Sequence, residues 1–109
     1  MKLNDYQAAA QETAVYPTLG HPIVYPALGL AGEAGEVAEK IKKLCRDHDG
    51  VLNDERRMGI CKELGDTLWY VSETARQAGL TLEEVAMCNI EKLRSRSLRN
   101  TLHGEGDNR

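Results

Sequence analysis

Phenylalanine is absent from this 109-residue chain, and aromatic residues make up only 5% of it. Its core must therefore rest on Leu, Ile, Val, Ala and Met, with few large rings to fill space. The three prolines, Pro17, Pro22 and Pro26, all lie in one short stretch, so the rest of the chain is free of helix breakers. The cysteines, Cys45, Cys61 and Cys88, are odd in number and form no CxxC pair. That excludes a dense secreted disulfide framework and implies reduced intracellular thiols, with Cys45 packed in a core. Cys45 and His48 stand at C-x2-H spacing, but no second pair completes a zinc site. No apolar run approaches the ~20 residues of a membrane span. Met1 to Ala10 has neither the basic flank nor the apolar stretch of a secretory signal, so a soluble, cytoplasmic protein without a membrane partner is expected. No segment alternates with period two for long enough to make a strand. There is no internal repeat, low-complexity tract or composition break, so residues 1–109 are expected to form a single domain.

With 41% hydrophobic and 28% charged residues, the composition is that of a globular protein. Net charge is −3, from 17 acids against 14 bases, so bulk electrostatics give no reason to expect a nucleic-acid partner. The distribution is more telling than the sum. Acids dominate Glu33 to Glu39, whereas Lys92, Arg94, Arg96 and Arg99 cluster near the end. Such acidic and basic patches suit a metal ion and a polyanion respectively.

The periodicity is helical almost throughout. A first helix is expected over Asp5 to Tyr16, with Asn4 as N-cap, Gln7 in the capping-box position and Pro17 ending the run. Thr18 to Tyr25 reads as a loop. A second helix opens near Pro26 and runs to about Arg46, with Leu30, Ala34, Val37, Ile41 and Leu44 as its apolar stripe. Asp47 to Gly50 is a turn. A third helix starts at Asn53 or Asp54, carries Met58, Cys61, Leu64, Leu68, Val71 and Ala75 on one side, and stops at Gly79. Thr81 and Glu84 form the capping box of a fourth, which uses Leu82, Val85, Ala86, Ile90 and Leu93. The tail beyond about residue 100 is irregular. The fold class is all-α.

Two acidic pairs sit on consecutive long helices: Glu33 and Glu36 as E-x-x-E, Glu63 and Asp66 as E-x-x-D. Three-residue spacing places both members of a pair on one face. A short connection favours antiparallel packing, in which the pairs face each other. Four carboxylates supply hard oxygen ligands, the donor set for Mg²⁺ or its substitute Mn²⁺. A solvated acidic face is the alternative, and three features oppose it. Each pair borders the apolar stripe. Gly29, Gly32 and Gly35 recur inside the second helix, each costing roughly 0.5–1 kcal/mol relative to Ala, as if something approaches closely. Gly59 and Gly65 accompany the other pair.

Gly32-Glu33-Ala34-Gly35-Glu36-Val37-Ala38-Glu39 followed by Lys62-Glu63-Leu64-Gly65-Asp66-Thr67-Leu68-Trp69-Tyr70 resembles the MazG-like all-α nucleoside triphosphate pyrophosphohydrolases. Asn89, Lys92 and Arg96, in an N-x-x-K-L-x-x-R arrangement, are similar to that family's third motif. The resemblance covers the second to fourth helices. It implies a four-helix bundle completed by oligomerisation and Mg²⁺-dependent hydrolysis of nucleoside triphosphates to the monophosphate and pyrophosphate. On that pattern Glu33, Glu36, Glu63 and Asp66 hold the metal and carry catalysis. Asn89, Lys92 and Arg96 face the phosphates, and Tyr70 lies near the base or sugar. Some members carry another acid immediately before the first motif Glu, where this chain has Gly32, so which carboxylate orients the attacking water stays open.

The physical logic agrees independently. A triphosphate is repelled by four carboxylates unless a divalent ion inverts the local charge. Arg grips phosphate oxygens in pairs and Lys acts as a point charge. Competing motifs fail on spacing: neither acidic pair has the His of a ferritin-like E-x-x-H site, no EF-hand loop precedes Gly50, and the Gly29–Gly35 run follows no strand. Small residues on the helix faces leave apolar surface to cover, so a homodimer or homotetramer is expected, with the fourth helix or a tail containing Asp107 and Arg109 completing a neighbour's site. The pocket for the base is expected between the first helix and the Pro17–Pro26 loop. The alternatives are a narrower dUTP, dCTP or phosphoribosyl-ATP pyrophosphatase, a non-catalytic helical interaction module, and a nucleic-acid binder using Lys92 to Arg99.

Overall fold

The computed structural model describes residues 1–109 and contains four helices: α1 (Leu3–Gln11), α2 (Val24–His48), α3 (Asp54–Gln77) and α4 (Leu82–Leu98). The all-helical expectation holds, with boundaries shifted where local hydrogen bonding overrides pattern. α1 starts earlier than expected: Lys2 is its N-cap, and the Lys2 amide donates to the Asp5 carboxylate at 3.0 Å. Asn4 is therefore not the cap. It lies within α1 and reaches across to α4, accepting from the Glu83 amide at 3.1 Å. α1 also ends well before Tyr16, because the Ala10 carbonyl is taken by the Thr13 hydroxyl at 2.9 Å and by the Trp69 indole at 3.2 Å.

α2 runs through His48 and closes on Asp49, whose φ of 52° is left-handed, followed by Gly50 at 73°. Asn53 caps α3 by accepting from the Arg56 amide at 2.8 Å. Thr81 does the same for α4 through the Glu84 amide at 3.1 Å, as the T-x-x-E pattern requires.

α2 and α3 form a long antiparallel hairpin. α1 and α4 dock onto α3 and onto each other, and neither touches α2. Their junction is held by buried Gln7, which donates to the carbonyls of Ser72 and Leu80 at 3.3 and 3.1 Å and accepts from the Leu82 amide at 3.1 Å. The bonds to Leu80 and Leu82 satisfy backbone groups at the α3–α4 turn, and the one to Ser72 ties α1 to the last turns of α3. Nearby, the Glu73 side chain is fully buried; both its oxygens bind the Arg76 guanidinium, at 2.7 and 2.8 Å, and the Tyr16 hydroxyl donates to it at 2.8 Å.

The protomer is open. Its radius of gyration is 16.6 Å, against about 13 Å for a compact domain of this length. The buried apolar residues are few: Ala10, Pro26, Leu44, Ala75 and Leu82. Two sequence expectations are overturned here. Cys45, expected in a core, and Cys61, expected on an inward stripe, are both exposed, as is Cys88. Within the hairpin stripes, Leu30, Val37 and Leu44 turn inward, whereas Ala34, Ile41, Met58, Cys61, Leu64 and Leu68 stay exposed. Ala27, Ala31, Ala34, Ala38, Ile41 and Cys45 recur at alternating four- and three-residue steps, a continuous apolar seam along α2. Cys61, Leu64 and Leu68 continue it on α3, on the side of the hairpin away from the acidic residues.

Candidate functional site

Antiparallel packing brings Glu33 of the first acidic pair to the level of Glu63 and Asp66, whereas the expected fourth member, Glu36, does not join them. Glu33 from α2 and Glu63 and Asp66 from α3 can each place a carboxylate oxygen within 4.8 Å of the others. That spacing suits one hard cation, across which octahedral oxygen ligands stand about 4 Å apart. Glu33 and Glu63 are half-buried and Asp66 is exposed. Burial, then the charges of Asp66, Glu63 and Glu36, push the Glu33 carboxyl above the usual carboxylate range. Three negative charges so placed, without a basic side chain paired to any of them, are a donor set that a divalent ion would relieve. Glu36 lies outside this trio. It is exposed, one turn along α2, and close enough to add to the charge on Glu33.

An aromatic wall adjoins the carboxylates. Trp69 and Tyr70 line a cleft of about 360 Å³ together with Glu33, Asp66 and Thr13. The two rings meet edge-to-face with centroids 5.0 Å apart, Tyr25 lies 6.5 Å from Tyr70, and Tyr16 stacks on Tyr25 at 5.3 Å. Four of the chain's five aromatic residues thus form one connected cluster, of which Trp69 and Tyr70 border the acids. The Trp69 indole donates to the Thr13 hydroxyl at 2.9 Å, which fixes the ring's orientation. Tyr70 occupies the space a Cβ at Gly29 would need, so this glycine permits a close approach within the chain. Gly32 and Gly35 face open space, and no contact within the chain explains them. The Tyr70 hydroxyl is shifted upward, first by burial and then by Tyr25, Glu33 and Asp66.

Sequence reasoning placed Tyr70 here and expected the pocket walls from the first helix and the Pro17–Pro26 loop, the segments that hold Thr13, Tyr16 and Tyr25, but it singled out none of these as site residues, nor Tyr6 or Trp69. The Tyr6 hydroxyl is raised by burial and by the Asp66 charge, which puts α1 beside the acids. No local pattern marks these residues: Tyr6 comes in with α1, Thr13 and Tyr16 with the segment that follows it, and Tyr25 and Trp69 stand on the facing helices α2 and α3.

The basic motif lies elsewhere. Asn89 is exposed on α4, which does not reach α2. Arg96 is 4% exposed, and its Nη2 donates to the carbonyls of Gly106 and Asp107 at 3.3 and 2.8 Å. Lys92 pairs with the Asp107 carboxylate at 3.4 Å. Arg109 binds the carbonyls of Thr101, Leu102 and Gly106. Asp107 therefore folds back on α4 of its own chain, and Arg109 ties the tail to itself.

The MazG nucleotide pyrophosphohydrolase domain matches residues 26–99, which span α4 and all but the first two residues of the α2–α3 hairpin. The chain belongs to the MazG family. Both acidic pairs, Tyr70 and the α4 motif fall inside the matched region. The MazG chain is also 45% identical, over 114 residues and the full length of both proteins, to the Gene 37 protein of Mycobacterium phage L5. No solved structure matches it. No helix of this MazG protein is long and apolar enough to cross a membrane.

Proposed function

We propose that this MazG protein hydrolyses nucleoside triphosphates between the α- and β-phosphates, releasing the monophosphate and pyrophosphate, with Mg²⁺ as cofactor and Mn²⁺ as its substitute. The observation that carries the reading is the convergence of Glu33, Glu63 and Asp66 beside an aromatic wall, within the region matched by the family. When bound, the ion would offset the carboxylate charge and would supply Lewis-acid and water-acidifying chemistry at this site. Glu33, Glu63 and Asp66 hold it. Glu36, on the same face one turn on, completes the set from the solvent side by rotating its side chain. Tyr70 and Trp69 hold the base or sugar against their rings and so orient the scissile bond.

The active form is a homo-oligomer, a dimer or a tetramer of two such pairs. The exposed seam of Ala31, Ala34, Ala38, Ile41, Leu64 and Leu68 is the surface a second hairpin would cover. In that assembly Asn89 and Lys92 approach a neighbour's phosphates, while Arg96 holds the tail that positions Lys92. The deciding experiment is a Mg²⁺-dependent screen of nucleotides with both products identified. Asp66→Asn and Glu36→Gln should lose pyrophosphate release by at least a hundredfold while retaining the helical circular dichroism of the parent. Full activity in either variant would remove the acid cluster from the reaction.

A further inference from the structure

Beyond the carboxylates, the same hairpin groove turns basic. Along the α2 side of the groove, Gly29, Glu33, Glu36, Lys40 and Lys43 follow one another at steps of four and three residues. On α3 the antiparallel series is Tyr70, Asp66, Glu63, Gly59 and Arg56. Seven residues are two helical turns less about 20°, so Lys40 lies on the same face as Glu33, and Arg56 on the same face as Glu63. The groove therefore presents aromatic rings, then acids, then cations, over a rise of about 10 Å from Glu33 to Lys40.

The basic end is a cavity of about 320 Å³, lined by Lys40, Lys43 and His48 from α2 and by Arg56 from α3, with Glu55 its only acid. Lys40 forms no ion pair, and its Nζ lies 3.9 Å from where a Cβ on Gly59 would stand. Gly59 is one turn from Glu63, so the Lys40 ammonium hangs over bare backbone between the acids and the cavity. Lys43 has only a 3.5 Å contact to Glu39, and Arg56 a single bond to the Val51 carbonyl at 3.0 Å. Their charge is left for an anion. Within the protomer, α4 supplies none to this groove.

We propose that this cationic stretch is the subsite for the β- and γ-phosphates of the substrate, and for pyrophosphate after cleavage, with Lys40 and Arg56 as its principal contacts. The inference rests on the proposed triphosphate hydrolysis, and it gives the groove a direction: nucleoside at Tyr70, scissile phosphate at the acids, leaving group at Lys40.

The test is calorimetric titration of inorganic pyrophosphate, and separately of a nucleoside monophosphate, into the full-length protein in Mg²⁺. Lys40→Met should weaken pyrophosphate binding about tenfold and Lys40→Met/Arg56→Met further, with monophosphate affinity retained; Lys40→Arg should restore most of the loss. Pyrophosphate bound equally by parent and double variant, or not bound by the parent, overturns the proposal. Failure of the hydrolytic reading looks different: a parent that releases no product from any triphosphate, yet binds pyrophosphate through Lys40, would keep the anion site and lose the reaction.

Discussion

Removing one charge from the acidic trio should stabilise the metal-free protein and destabilise the metal-bound one relative to the parent. Carboxylate oxygens of Glu33, Glu63 and Asp66 approach within 4.8 Å, a separation at which each like-charge pair costs about 1 kcal/mol in a water-like dielectric. Asp66 is exposed, and salt and side-chain motion reduce these terms, so Glu33→Gln should recover about 1 kcal/mol in total. For a chain of this length that is a rise of roughly 4 °C in Tm, read in chelator at neutral pH and fixed protein concentration. Because the folded Glu33 carboxyl titrates above the unfolded one, its penalty is complete above the folded value and vanishes below the ordinary carboxyl range. The gain should accordingly disappear in acid.

In Mg²⁺ at a hundred times its Kd the parent gains about 2.7 kcal/mol, worth roughly 12 °C for a domain of this size. Glu33→Gln, with a ligand gone, should gain little. The two melting curves must change order between chelator and Mg²⁺. A variant less stable than the parent in both conditions, or equally responsive to the ion, would refute a metal centre built on this trio, and monovalent salt at equal ionic strength should not reproduce the shift.

Gly29→Ala should lower stability by about 1–3 kcal/mol despite its better helix propensity, since the new methyl meets the Tyr70 ring; thermal denaturation measures it. Glu73→Gln should cost about 2 kcal/mol at neutral pH by leaving Arg76, 29% exposed, without its paired carboxylate. Because the Arg76 hydrogen bond holds the Glu73 carboxyl below its usual range, that stabilisation is present above the unfolded value and fades as pH falls through the folded one, so the two proteins should converge in acid. Ile41→Glu or Leu64→Glu places charge on the exposed seam and should reduce the light-scattering mass to that of a 12.1 kDa protomer.

Helix content and the pairing of the acids were legible because both follow from spacing along one chain. A carboxylate three residues after another shares its face whatever surrounds it, and Asn53, Gly79 and Thr81 punctuate helices through bonds to their own neighbours. The aromatic wall, Tyr6 beside Asp66, and the Trp69 bond to Thr13 were not legible. They depend on where α1 and the segment after it dock and on how α2 meets α3, which no local pattern announces. Nor could periodicity tell an inward stripe from an outward one: Leu44 and Ile41 belong to the same apolar pattern, and only the angle at which α3 meets α2 buries the first and exposes the second. Arg96 shows the same limit, since its partners are carbonyls of a tail whose path has no pattern. The sequence determined which residue types share a helix face, a matter of local geometry; the tertiary structure alone decided which faces meet, because that depends on contacts between residues far apart in the chain.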